Sequence, residues 1–174
     1  MDGGKLLGTG SSSCVFSPDL PCKGDKNHKA DSKRVSKLLY HHKSKELLLE
    51  EKKMNVKIKQ IKNHNKWSLT FDKYCKPPPL DDLYKFDKEG FDECLKKSSL
   101  SDTYHERIDD VTYLTSGLTG GITLEDYFID NFYKITMNEL ETRFMKLMHM
   151  IEPLFLGLKE LHNHKLIHND IKGI

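Results

Sequence analysis

The chain has 174 residues, 37% of them hydrophobic and 31% charged, with 28 basic and 26 acidic side chains and a formal charge of +2. That supports one modest globular domain with a solvated, mixed-charge surface and implies no polyanion partner, so no nucleic acid is expected. No apolar run approaches the roughly 20 residues that a bilayer span needs, and nothing near Met1 looks like a signal peptide, so a soluble, cytoplasmic chain without a membrane partner is expected. Cys14, Cys22, Cys75 and Cys94 show neither a C-x-x-C spacing nor an even ladder, and read as reduced thiols with no zinc site.

Residues 4–16 form a glycine-rich turn between short apolar segments. Gly8 and Gly10, with Thr9 between them, leave no side chain between the backbone amides and a bound phosphate. The turn lacks the lysine of a P-loop, and Cys14-Val15-Phe16 favours a strand where a dinucleotide fingerprint needs a helix. An ordinary Gly/Ser loop stays open at this point. Residues 17–33 are polar and lysine-rich and read as a loop.

Arg34 to Tyr40 reads as a strand whose period of two puts Val35, Lys37 and Leu39 on one face. Lys37 is then either a phosphate-directed cation or a snorkelling surface lysine. From Ser44 to Ile61 a capped helix is expected, with Leu47, Met54, Ile58 and Ile61 on its apolar stripe. Glu50 and Glu51 flank that stripe almost symmetrically, so periodicity does not choose between them.

Trp67 to Phe71 alternates as a strand does. Lys76-Pro77-Pro78-Pro79 then breaks regular structure, and 76–110 reads as a charged, flexible insertion with at most a short helix near Phe91 to Lys97. Val111 to Thr115 is the next strand and runs into a Gly120-Gly121 turn. Thr136 to Glu139 is a capping box that opens a long helix striped by Leu140, Phe144, Leu147, Ile151, Leu154, Leu158 and Leu161. Pro153 should kink or split it near Glu152. His164 and His168 are four apart, but His168 lies beyond the helix, so no metal site is expected there. Last comes Leu166-Ile167-His168-Asn169-Asp170-Ile171-Lys172. A carboxylate two residues ahead of a lysine suits phosphoryl transfer to a hydroxyl: Asp170 orients the acceptor, and Lys172 neutralises charge on the transferred group.

In this order the glycine turn, strand lysine, helix carboxylate, Gly-Gly connection and His-Asn-Asp-Ile-Lys stretch resemble the eukaryotic-type protein kinases. Val35-Ser36-Lys37 and Gly120 to Phe128 look most like kinases of large DNA viruses. The resemblance implies an α+β fold: a kinase-like N-lobe of antiparallel sheet plus one helix over 1–116, with 76–110 inserted. A hinge at 117–121 and an incomplete helical C-lobe over 122–174, ending in the catalytic loop, would follow. It implies ATP covered by Gly8, Thr9, Gly10, Ser13 and Val15, with Lys37 positioning the phosphates and Glu51, rather than Glu50, pairing that lysine. Leu118 would offer its backbone to the adenine, on an edge strand, with Thr115 guarding the pocket behind. Asp170 and Lys172 would be catalytic, the lysine favouring Ser/Thr over Tyr substrates.

Two departures from the family pattern stand beside these expectations. Ser13 replaces the third glycine, and Asn169 replaces the arginine that in many members pairs with a phosphorylated activation loop, which implies activity independent of that phosphorylation. The Asn and D-F-G segment that hold Mg²⁺ in the family would lie beyond Ile174, so no metal ligand is expected within the chain. The implied partners are ATP, a protein substrate and a missing C-lobe or partner chain, in a host cytoplasm or virion. Two other functions compete: a truncated or pseudokinase module that binds nucleotide or a partner without turnover, and a small-molecule phosphotransferase.

Overall fold

The structure, a computed structural model, describes residues 4–40, 43–96 and 112–167. The chain divides into two compact units, residues 1–56 with 70–119 and residues 57–69 with 120–174. The fold class is α+β.

The first unit carries a five-stranded antiparallel sheet of β1 (Lys5–Thr9), β2 (Ser13–Ser17), β3 (Arg34–Leu39), β4 (Phe71–Cys75) and β5 (Tyr113–Leu118), in the order β1-β2-β3-β5-β4. With it go α1 (Ser44–Lys59), as far as Val56, and α2 (Leu80–Lys96). Alternation along each strand sorts the side chains. Cys14, Phe16, Ser36, Leu38, Leu114 and Ser116 point to one face, the back, and all are buried. Leu20 from the loop after β2 and Leu83, Phe91 and Cys94 of α2 cover that face. Phe91 stacks on Phe16 with ring centroids 4.3 Å apart. Asp87 leaves helical geometry and kinks α2, and its carboxylate accepts from Leu6 N at 2.9 Å and Gly90 N at 3.1 Å, which ties the edge strand β1 to α2.

Three expectations are corrected here. Residues 80–96 are not a flexible insertion but a helix that supplies part of the core. The strand expected from Trp67 begins only at Phe71, because a 3-10 turn at His64–Lys66 runs into Trp67. The cysteines are not reduced thiols. Cys14 bonds Cys94 and Cys22 bonds Cys75, with Cα atoms 5.9 and 5.8 Å apart. Packing α2 on β2 joins residues separated by 80 positions, which no local spacing announces.

A buried carboxylate braces the loop after β2. Asp19 accepts from Ser116 Oγ at 3.2 Å and Asp31 N at 3.2 Å, and Arg34 Nε lies 3.5 Å away, which offsets its desolvation. Arg34 turns its other nitrogens to Asp72.

The second unit holds α3 (Leu124–Phe132) and α4 (Met137–Asn163). Asp126 N donates to Thr123 Oγ1 at 3.0 Å and caps α3. Thr136 N donates to Glu139 Oε2 at 3.2 Å, the expected capping box. Of the kink or split expected at Pro153, the split does not occur: α4 runs unbroken through it, so the missing proline N–H costs a hydrogen bond without ending the helix. The Trp67 ring lies against Gly157, where a Cβ would come within 2.5 Å of it. Leu147 and Leu161 are buried on α4, whereas Phe144, Leu154 and Phe155 are exposed. Among the described residues no helix is long and apolar enough to cross a membrane.

Candidate functional site

The front face of the sheet carries a cross-strand row. Val15 on β2 stands opposite Lys37 on β3, Lys37 opposite Thr115 on β5, and Thr115 opposite Tyr74 on β4. The row is the pleat's other parity: each member neighbours a back-face core residue in sequence.

Helix α1 supplies the carboxylate. Ser44, Leu47, Leu48, Glu51 and Asn55 form its inward face at helical spacing, while Glu50 is exposed. Glu51 Oε2 lies 3.0 Å from Lys37 Nζ, and the pair is partly buried, which screens it less than a surface pair. The Lys37 ammonium also sits 5.9 Å from the centroid of the Phe71 ring. One turn on from Glu51, Asn55 Nδ2 donates to the Tyr74 hydroxyl at 2.5 Å, and that hydroxyl donates to Phe71 O at 3.0 Å. Burial pushes the Tyr74 hydroxyl pKa up, which keeps it a donor. The centre of the inward face is therefore polar, and Met54, expected on the stripe, is 42% exposed instead.

Two buried oxygens beside this pair, Glu51 Oε1 and Thr115 Oγ1, have no hydrogen-bond partner among the described residues. Buried polar atoms are nearly always paired, so this end of the row suits a ligand that brings polar groups of its own.

The glycine turn joins β1 to β2 and is closed by Gly10 N donating to Ser13 O at 2.8 Å. A Cβ on Gly8 would meet nothing within 4 Å, and one on Gly10 only Ser13 O at 3.4 Å. The backbone around Gly8, Thr9 and Gly10 therefore borders open space, the access a phosphate needs. Tyr40, buried just past β3, pins this turn: its hydroxyl donates to Gly10 O and its N–H to Ser12 O at 3.2 Å. Burial raises the Tyr40 pKa, so the hydroxyl stays protonated. Sequence reasoning passed over Tyr40; the available signal was period two, which sets it on the side of Leu38, away from Lys37.

Leu118 ends β5, 60% exposed and opposite Arg34 of β3. The expected edge strand is corrected, since β5 lies between β3 and β4. The β4 register nevertheless ends at Phe71 opposite Gly117, so Leu118 has no β4 residue across from it. Gly117 has no room for a side chain: a Cβ would come 2.9 Å from Thr70 O and 3.1 Å from Phe71 Cδ1. Asp170 and Lys172, with His168 and Asn169, lie outside the described residues. Among the described residues no group of three His, Cys, Asp or Glu side chains is placed to hold a metal ion, so none is assigned to Mg²⁺.

The structure thus brings together Val15, Lys37, Glu51 and Thr115, with the turn of Gly8, Thr9, Gly10 and Ser13 at the end of the same hairpin. No family model, curated protein or solved structure matches the chain.

Proposed function

We propose that the chain belongs to a phosphotransferase of the eukaryotic protein-kinase kind, which in intact form passes the γ-phosphoryl group of ATP to Ser or Thr hydroxyls of a protein. The observation that carries this reading is the 3.0 Å pair between Lys37 Nζ and Glu51 Oε2 on a strand adjoining the glycine turn. A lysine free to wander neutralises phosphate poorly. Fixed by a carboxylate on a neighbouring helix, it offers a positioned positive charge to the nucleotide's phosphates. The glycine turn lets the same group approach its backbone with no side chain between, Val15 covers one face of the base, and the Leu118 backbone meets its polar edge. Asp170 orients the acceptor hydroxyl and Lys172 steadies the γ-phosphate, both by resemblance. Mg²⁺ would supply further charge neutralisation when bound.

The test is transfer of label from γ-labelled ATP, with Mg²⁺, to a mixture of Ser/Thr peptides and, in parallel, to aminoalcohols. Labelled peptide that disappears with Asp170→Asn is the expected result. Label on the aminoalcohols alone would make the protein a small-molecule phosphotransferase. Stabilisation by ATP in a thermal melt without transfer to either acceptor would make it a nucleotide-binding module.

A further inference from the structure

The two disulfides sit at different depths of the first unit. Cys14 and Cys94 are fully buried in the core with Phe16, Leu20, Leu38 and Phe91. Cys22 and Cys75 are only partly buried and join the loop after β2 to the end of β4. Besides the bond, Lys23 N donates to Lys76 O at 2.8 Å and Lys73 meets Asp25 at 3.0 Å near the surface, while Asp25 N to Cys22 O and Lys26 N to Gly24 O, both 3.0 Å, lie within the loop itself. The root of the loop is held independently by fully buried Leu20 and by the Asp19 carboxylate. Opening the outer bond therefore frees residues 22–27 and leaves the core closed, a local event. Reaching the inner bond requires α2 to leave the sheet, because Leu83 and Phe91 cover the same face.

We propose that Cys22–Cys75 is a thiol–disulfide exchange site that docks and releases residues 22–27 in response to a glutathione-type couple, while Cys14–Cys94 is a permanent staple. Exposed Lys23 follows Cys22 directly and places positive charge near an anionic thiol reagent, whereas the Lys76 ammonium, after Cys75, sits 3.9 Å from the Tyr113 ring centroid. In the oxidising direction, one cysteine thiolate attacks a sulfur of glutathione disulfide and expels one glutathione thiolate. The second cysteine thiolate then attacks the protein sulfur of the mixed disulfide and expels the other glutathione. The two protein thiols lose two protons and two electrons, and glutathione disulfide takes up both electrons. This inference does not rest on the phosphoryl-transfer reading.

The experiment equilibrates the folded chain in glutathione buffers of falling disulfide content, quenches with N-ethylmaleimide and maps the labelled cysteines by peptide mass spectrometry. Cys22 and Cys75 are expected to label at least about tenfold faster than Cys14 and Cys94, which should label only once denaturant is added. Hydrogen exchange should rise over 22–27 on reduction and stay unchanged over β2 and α2. The double variant Cys22→Ser with Cys75→Ser should melt cooperatively with the inner bond intact. Equal labelling rates, inner cysteines labelling first, four free thiols after treatment with glutathione disulfide, or a double variant that does not fold would each overturn the proposal.

Discussion

Lys37 and Glu51 depend on each other: remove either and the other is left as a partly buried charge without its partner 3.0 Å away. On the proposed nucleotide-binding reading, Lys37→Met should weaken ATP binding by about tenfold or more, read by titration calorimetry, and Glu51→Gln should weaken it in the same direction because the lysine loses its anchor. Glu50→Gln, on the exposed side of α1, should leave affinity unchanged. Tyr40→Phe removes the hydroxyl that holds Gly10 O and should cost about 0.5–1.5 kcal/mol in a urea melt while loosening ATP binding. At this scale the strand lysine was legible, because alternation over Arg34 to Tyr40 is enough to place it. Periodicity alone could not choose between Glu50 and Glu51, whereas the family resemblance picked Glu51, the residue that meets Lys37. A stripe built from apolar residues alone admits Met54 and overlooks Asn55, whereas the inward face of α1 is polar where it meets Lys37 and Tyr74. The role of Tyr40 was hidden for another reason, since its hydroxyl meets a carbonyl 30 positions away.

Helix α2 shows what hides an element from its own sequence. Asp81, Asp82, Lys85, Lys88, Glu89 and Glu93 crowd it with charge, and the non-helical turn at Asp87 resets the phase between Leu83 and Phe91. A single stripe cannot be followed across such a break, so the segment reads as a loop although it carries core residues. Phe91→Ala should therefore cost about 3–5 kcal/mol, a core penalty, measured by chemical denaturation of the first unit. A change near zero would mean that α2 is detachable. The strands β2 and β3 were readable because alternation survives in them, whereas β5, expected over Val111 to Thr115, runs from Tyr113 to Leu118 and takes in two residues expected in the hinge. The start of β4 was not readable, since Trp67 to Phe71 alternates by composition while His64–Lys66 turns the chain just before it.

For the molecule as a whole, the legible part was the α+β class, and the illegible part was which distant segments close on each other. The back-face core, both disulfides and the brace at Asp19 all join residues remote in sequence. The long helix α4 leaves Phe144, Leu154, Phe155 and Leu156 exposed together with several methionines, more apolar surface than one helix of a monomer usually shows. The isolated chain should accordingly self-associate with rising concentration, as light scattering after size exclusion would report; a monodisperse monomer across that range would contradict this. A smaller feature reaches further than its size suggests. One of the two hydrogens on the α-carbon of Gly117, standing where any other residue carries its side chain, sets how closely Phe71 can approach β5, and the Phe71 ring lies beneath the Lys37 ammonium. Swap that hydrogen for a methyl group and the aromatic floor must shift, carrying the disturbance to a lysine eighty residues earlier in the chain.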